Sequence, residues 1–219
     1  MKSWIASLLL LALIGLGGIH AAAQTVYSNG PINGNTDAWT INFGFIVSDT
    51  FNVTNNNTTI TSASFGMWLF SGDTLTSAEL SITSGENSGT TYFDQTINFT
   101  QGACTANQYG YNVCQENTTF SGPTLNAGGY WLNLQNASVP SGDPVYWDEN
   151  SGPSMASENS VGSIPSEAFT LCDGEGGGRG CGSTSTTTST TTSVPEPSSI
   201  MLLGSGILGL ASLVRRRLF

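Results

Sequence analysis

The sequence is poor in basic side chains and in histidine. It has five lysines and arginines against fifteen aspartates and glutamates, and its single histidine is His20. Lys2 and the three arginines at 215–217 lie at the ends of the chain, so Arg179 is the only basic residue within 24–193, beside fourteen acidic residues. Fourteen negative charges against one positive give this segment a net charge of −13. Such a surface repels nucleic-acid phosphates and anionic headgroups, so nucleic-acid binding is excluded.

The lack of lysine and histidine between the ends also removes most catalytic chemistry. A Ser-His-Asp triad, a Cys-His dyad, a histidine-bound zinc ion and a Schiff-base lysine cannot be built from these residues. Carboxylate chemistry, calcium binding by carboxylate and carbonyl oxygens, and recognition without catalysis remain. We therefore expect a protein that is not an enzyme. The alternative is a carboxylate-dependent glycan hydrolase, which needs two acidic side chains about 5–10 Å apart in a cleft.

The N-terminus has the organisation of a secretory signal peptide. Lys2 gives the positive start, residues 8–19 are mostly apolar, and Ala21, Ala22 and Ala23 form a small-residue cleavage site. The apolar stretch is well short of the ~20 residues that cross a bilayer as a helix. We expect signal peptidase to remove residues 1–23 and the remainder of the chain to be exported.

The four cysteines all lie in the exported part. In an oxidising compartment an even number of closely spaced cysteines indicates disulfide bonds, and four cysteines allow three pairings. We predict the local pairing, Cys104 with Cys114 and Cys172 with Cys181. The alternative is a zinc site with four thiolates, which usually needs CxxC pairs that this sequence does not have.

Short runs that alternate apolar and polar residues recur between positions 26 and 171. A period of two is typical of half-buried strands, and turn residues such as Asn33-Gly34 separate the runs. No helical apolar period occurs between the ends, so the sequence predicts an all-β domain at 24–182. We expect an antiparallel β-sandwich of jelly-roll type. The apolar positions of the expected strands are Ile41, Phe43, Phe45, Val47, Phe51, Val53, Ala63, Phe65, Met67, Leu69, Ala78, Leu80, Ile82, Phe93, Ile97, Phe99, Tyr130, Leu132 and Leu134.

The character of the chain changes beyond the predicted domain. Residues 183–193 are only serine and threonine, which cannot bury apolar surface and predict a flexible stalk. Residues 194–219 follow a fixed order: a short proline-containing motif, an apolar run at 200–214, then an arginine cluster. The run predicts one short transmembrane helix, with the arginines on the cytoplasmic side.

This tail resembles the PEP-CTERM sorting signal of exosortase substrates. The resemblance rests on Pro195, Glu196, Pro197, Arg215, Arg216 and Arg217, in that order around the apolar helix. It implies a Gram-negative bacterium that makes exopolysaccharide, transient anchoring in the inner membrane, and processing by exosortase near the proline motif. Release to the cell surface or extracellular matrix would follow, where exopolysaccharide is the expected partner. Such tails are also labelled ice-binding protein C-terminal domains, a label that does not describe the sandwich.

The ectodomain resembles uncharacterised PEP-CTERM ectodomains at 129–134 and 144–150, which implies no activity. These segments nevertheless hold the densest polar and aromatic cluster, and aromatic rings stack on sugars. They give a candidate glycan site at Tyr130, Trp131, Tyr146 and Trp147. The alternative is that these rings fill the core or its rim.

We expect no cofactor; the one candidate site for a metal ion is a calcium site formed by acidic residues of the same region, Asp143, Asp148 and Glu149. As a glycosidase pair, Asp148 and Glu149 have the wrong geometry, because neighbours in a strand point to opposite faces.

Overall fold

A computed structural model describes residues 23–173 and residue 181. All regular structure in this part of the chain is β-strand, which confirms the all-β prediction. The described residues belong to one compact unit. The predicted signal peptide, the stalk and the sorting signal with its helix lie outside the described residues, apart from Ala23. The strands are β1 Gln24–Ser28, β2 Ala38–Thr40, β3 Val47–Val53, β4 Thr58–Thr59, β5 Ser62–Leu69, β6 Ser77–Gly85, β7 Ser88–Asn98, β8 Thr100–Ala106, β9 Asn112–Thr119, β10 Thr124–Leu125, β11 Gly128–Ser138, β12 Tyr146–Asp148, β13 Ala156–Glu158, β14 Gly162–Ile164 and β15 Phe169–Asp173.

Two antiparallel sheets form the domain, and β4 and β10 make a separate small ribbon. In the first sheet β5 is central. One edge of β5 pairs along its whole length with β9, which pairs with β8, and the other edge pairs with β15 and β12. Beyond these two strands, β1 pairs with β15 and β2 pairs with β12. The second sheet has the order β14-β13-β3-β11-β6-β7. The predicted antiparallel sandwich is confirmed, while its jelly-roll subtype stays a prediction.

The apolar alternation supplies the core between the sheets. Phe65, Met67 and Leu69 of β5 and Leu132 and Leu134 of β11 are all fully buried. Each side chain of this size contributes about 1.5–3 kcal/mol through burial. The core includes further buried residues from most strands of both sheets.

One predicted strand is wrong. Ile41 to Val47 reads as an alternating run, but β2 ends at Thr40 and β3 starts at Val47, with a turn between them. The N–H of Phe45 donates to the carbonyl of Asn42, and Phe43 has a positive φ of 58°. Phe43 therefore projects outward and is 64% exposed. A tight turn replaces the expected strand here because the chain passes from one sheet to the other.

Both predicted disulfides are present. Cys104–Cys114 links the paired strands β8 and β9, and Cys172–Cys181 ties residue 181 to β15. No described cysteine is free. By loop-closure entropy each bridge stabilises the fold by about 2–3 kcal/mol.

Candidate functional site

The outer face of the first sheet carries the candidate site. In β5, the residues between the core positions face outward: Ser64, Gly66 and Trp68. A loop formed by residues 29–36 crosses this face, and Ile32 packs over Gly66, where a Cβ would lie 3.0 Å from the Ile32 side chain. Because Gly66 has no side chain, Ile32 of the loop can pack directly against β5 at this position.

Asp148 anchors the crossing loop. Its carboxylate accepts the N–H groups of Asn33 at 2.8 Å and Gly34 at 3.0 Å, and the indole N–H of Trp68 at 2.6 Å. Asp148 is fully buried, and this burial raises its pKa, while the three N–H donors lower it in part. Gly34 has a φ of +63°, and a Cβ there would lie 2.6 Å from the side chain of Val113, so only glycine fits. The loop is thereby held in one conformation.

Five aromatic rings form a strip on one side of the loop. Trp68 stacks on Tyr109 with ring centres 5.6 Å apart, and Tyr111 packs against three other rings, those of Trp68, Phe70 and Tyr146. Tyr109 is 54% exposed and Phe70 is 37% exposed, so the strip presents ring surface to solvent. We call Trp68, Phe70, Tyr109, Tyr111 and Tyr146 the aromatic strip. Burial and the neighbouring Tyr111 raise the pKa of Tyr146 to about 12, so its phenol stays neutral.

An uncharged cavity of about 590 Å³ lies on the same face. Hydroxyl and amide groups dominate its polar lining: the Ser28 and Thr170 hydroxyls are 3.3 Å apart, and Gln115 Nε2 donates to the Ser64 hydroxyl at 3.0 Å. This volume lies within the range of small-ligand sites. The remaining lining residues are Thr25, Gly30, Pro31, Ile32 and Phe169.

The crossing loop borders both features. Gly30 to Ile32 line the cavity, and the main-chain oxygen of Asn35 accepts the hydroxyl of Tyr109 at 3.5 Å. Cavity and aromatic strip therefore lie on either side of one loop that Asp148 holds in place.

The described residues contain no lysine, arginine or histidine, but thirteen acidic residues. The face around the cavity and strip therefore lacks any positive group that could attract an anionic ligand.

Residues 193–217 match the family described as the PEP-CTERM protein-sorting motif. The chain carries a PEP-CTERM sorting signal. The ectodomain is thus part of an exported, exosortase-sorted protein that reaches the cell surface or the extracellular space. No curated protein matches the chain. Within the described residues no helix is long and apolar enough to cross a membrane.

The four rings expected to bind glycan do not share a surface in the ectodomain. Trp147 is fully buried between the sheets, in edge contact with Phe65 and Phe169. Tyr130 is buried on the other sheet, and Trp131 is half-buried there. The buried rings of Tyr130 and Trp147 offer no free face to a sugar, so the four residues do not form one binding surface.

Only Tyr146 of the expected four belongs to the aromatic strip. Sequence reasoning missed the other four, Trp68, Phe70, Tyr109 and Tyr111. A signal was present, since Tyr109 and Tyr111 alternate at the tip of the hairpin that the Cys104–Cys114 bridge closes. Glycan binding itself stays a prediction.

The three expected calcium ligands do not form one site either. Asp148 is committed to the crossing loop, Glu149 accepts the indole N–H of Trp39 at 3.1 Å, and Asp143 lies in the loop before β12. Across residues 23–173 and 181, no three histidine, cysteine or acidic side chains are arranged to hold a metal ion.

Several acids lie in the interior, which the sequence did not indicate. Among them, Asp49, Glu116, Glu149 and Glu167 are all at most 6% exposed. Burial raises the pKa of Asp49 to about 6 and that of Glu116 to about 7. Burying an ionised carboxylate with no cation nearby lowers the free energy of unfolding, so ionisation of these groups destabilises the domain.

Proposed function

We propose that this exported protein is a non-enzymatic surface or matrix protein that binds a neutral polysaccharide across the outer face of its first sheet. The observation that carries the proposal is an exposed aromatic strip beside an uncharged, hydroxyl-lined cavity on one face. The rings would stack on successive sugar units, and the cavity would take a sugar unit or a branch.

The charge of the domain supports a neutral ligand. Thirteen carboxylates and no basic residue among the described residues would repel an acidic polysaccharide, and a few ring contacts would not offset this repulsion at low salt. Association with the exopolysaccharide implied by the sorting signal would therefore occur through its uncharged segments.

The lining of the cavity favours binding over hydrolysis. A glycan hydrolase needs two carboxyl groups on either side of the scissile bond, and no acidic residue lines this cavity. Asp148, which lies beside Gly66 on this face, is buried and accepts three N–H groups from the protein. Incubation with polysaccharide should accordingly release no new reducing ends.

Affinity electrophoresis through gels that contain a neutral glucan or an acidic polysaccharide tests the proposal. The neutral glucan should retard the protein and the acidic polymer should not. Tyr109→Ala should weaken retardation up to tenfold, since one aromatic contact is worth about 0.5–1.5 kcal/mol.

Tyr92→Ala is the matched control, because Tyr92 is also a surface tyrosine, 42% exposed, but lies in β7 of the other sheet. Its effect should be less than twofold. Equal loss in both variants, or equal retardation by neutral and acidic polymers, would reject the site.

A further inference from the structure

The side chain of Asn29 lies between the two sheets. Asn29 follows β1 of the first sheet and is fully buried. Two of its neighbours belong to the second sheet: Asp49 lies in β3, and Ser154 lies in the loop before β13. The main-chain N–H of Asn29 donates to the carbonyl of Phe169 at 2.9 Å, and its carbonyl accepts Nδ2 of Asn150 at 2.8 Å. The Asn29 amide is therefore held in one place.

The amide nitrogen of Asn29 has more close polar neighbours than it has hydrogens. Nδ2 lies 3.0 Å from Oδ2 of Asp49, 2.7 Å from the main-chain oxygen of Glu167 and 2.5 Å from Oγ of Ser154. An amide group has only two hydrogens, and an ionised Asp49 and the Glu167 carbonyl can only accept them. The Ser154 hydroxyl also hydrogen-bonds the carboxyl group of Asp49. Its oxygen therefore faces the amide of Asn29 with no hydrogen between them.

The groups around this amide are those that acyl transfer needs. The Ser154 hydroxyl is a nucleophile, and its hydrogen-bond partner Asp49 can accept the proton. The amide C–N bond adds at most about 1.3 Å to the 2.5 Å contact, so Oγ lies within about 3.8 Å of Cγ of Asn29. The hydroxyl of Tyr27 donates to Oδ1 of Asn29 at 3.0 Å, where negative charge would develop. Burial raises the pKa of Asp49 to about 6, which suits a proton acceptor near neutral pH.

We propose that Ser154 Oγ attacks Cγ of Asn29, so that an ester bond between the two side chains replaces the Asn29 amide. Asp49 takes the hydroxyl proton as the Oγ–Cγ bond forms, and Tyr27 stabilises the charge on Oδ1. The Cγ–Nδ2 bond then breaks, and Asp49 passes the proton to the leaving nitrogen. Ammonia departs, Asp49 is a carboxylate again, and no other reactant is needed.

The ester would join the two sheets across a sequence separation of 125 residues. The two disulfides span separations of 10 and 9, and neither joins the sheets. Asn29 is fully buried and Ser154 is half-buried, which shields the bond from hydrolysis. An exported protein would keep this link under reducing conditions, where its disulfides open. The cross-link is independent of glycan binding.

Peptide mapping of the protein from culture medium, by mass spectrometry, tests the bond. A protease that cleaves after aspartate and glutamate separates the peptide that ends at Asp37 from peptide 150–158. In the wild type these two peptides should be joined, with a mass about 17 Da below their sum because one ammonia is lost. Ser154→Ala removes the nucleophile at a half-buried position, and its two peptides should be separate and unmodified.

Asn133 provides a matched control within the same digest. Its buried Nδ2 lies 3.0 Å from the hydroxyls of both Ser81 and Thr83, but its hydrogen-bond partners among the described residues include no carboxyl group. Peptides that contain Asn133 should be unmodified. Separate, unmodified peptides in the wild type would overturn the proposal. So would a loss of ammonia confined to the Asn29 peptide, which indicates a succinimide with Gly30, or a link that persists in Ser154→Ala.

Discussion

Glu116 makes the stability of the domain fall as the pH rises. It lies in β9 opposite Phe65, fully buried, and neither of its oxygens has a donor. Burial raises its pKa to about 7, against a smaller lowering by the side chain of Gln101. We therefore predict that Glu116→Gln removes a large part of the pH dependence of folding.

The sign follows from the raised pKa. An unfolded glutamate titrates near 4.5 and the folded one near 7, so the stability that Glu116 contributes is complete below pH 4.5 and is lost as the pH rises through 7. Between pH 5 and pH 8 the ionisation of this group alone lowers the free energy of unfolding by roughly 2–3 kcal/mol, at about 1.36 kcal/mol per pKa unit. The glutamine side chain of the variant does not titrate, so any fixed cost of the buried amide is the same at both pH values.

Urea unfolding at pH 5 and pH 8 measures the effect. The free energy of unfolding of Glu116→Gln, taken relative to that of the wild type, should be about 2–3 kcal/mol higher at pH 8 than at pH 5. Asp94→Asn removes one charge from an exposed position in β7 and serves as the control for net charge. If the difference between Glu116→Gln and the wild type were the same at both pH values, the reasoning on Glu116 would be refuted.

Three other changes test the loop and the export route. Gly34→Ala should lower stability by about 1–3 kcal/mol in urea unfolding, because it adds a side chain at φ +63° against Val113; an unchanged midpoint would contradict the packing described. Asp148→Asn should cost about 2–3 kcal/mol, since an amide cannot accept all three N–H groups, and a neutral effect would show that the anchor is dispensable. Intact mass of the protein from culture medium should show the loss of residues 1–23 and of the C-terminal end that contains the helix at 200–214, and retention of both ends would contradict sorting.

The fold was largely predictable because its strands keep a strict period of two. Phe65, Met67 and Leu69 illustrate this, since one face of β5 is uniformly apolar. The same period failed at Phe43 and Phe45, where local alternation cannot reveal that the chain turns between sheets. Only the tertiary path of the chain decides that these rings lie outside.

The site was harder to predict, because alternation does not say which face is the inner one. Tyr146 and Trp147 are adjacent and look equivalent in the sequence, yet one belongs to the aromatic strip and the other is fully buried. Asp49 and Glu167 stand at positions where a charge normally indicates a solvated face. Their burial depends on long-range contacts between the two sheets, which the sequence does not display.

Solution NMR with a neutral glucan oligosaccharide tests most directly whether the outer face of the first sheet binds polysaccharide. Amide shifts should change at residues 30–36, at Tyr109 and Tyr111, and at Tyr146, while β7 and β11 stay unaffected. Saturation of these shifts with increasing oligosaccharide would agree with one binding face. An unchanged spectrum at saturating glucan, or changes confined to the second sheet, would contradict the proposed function.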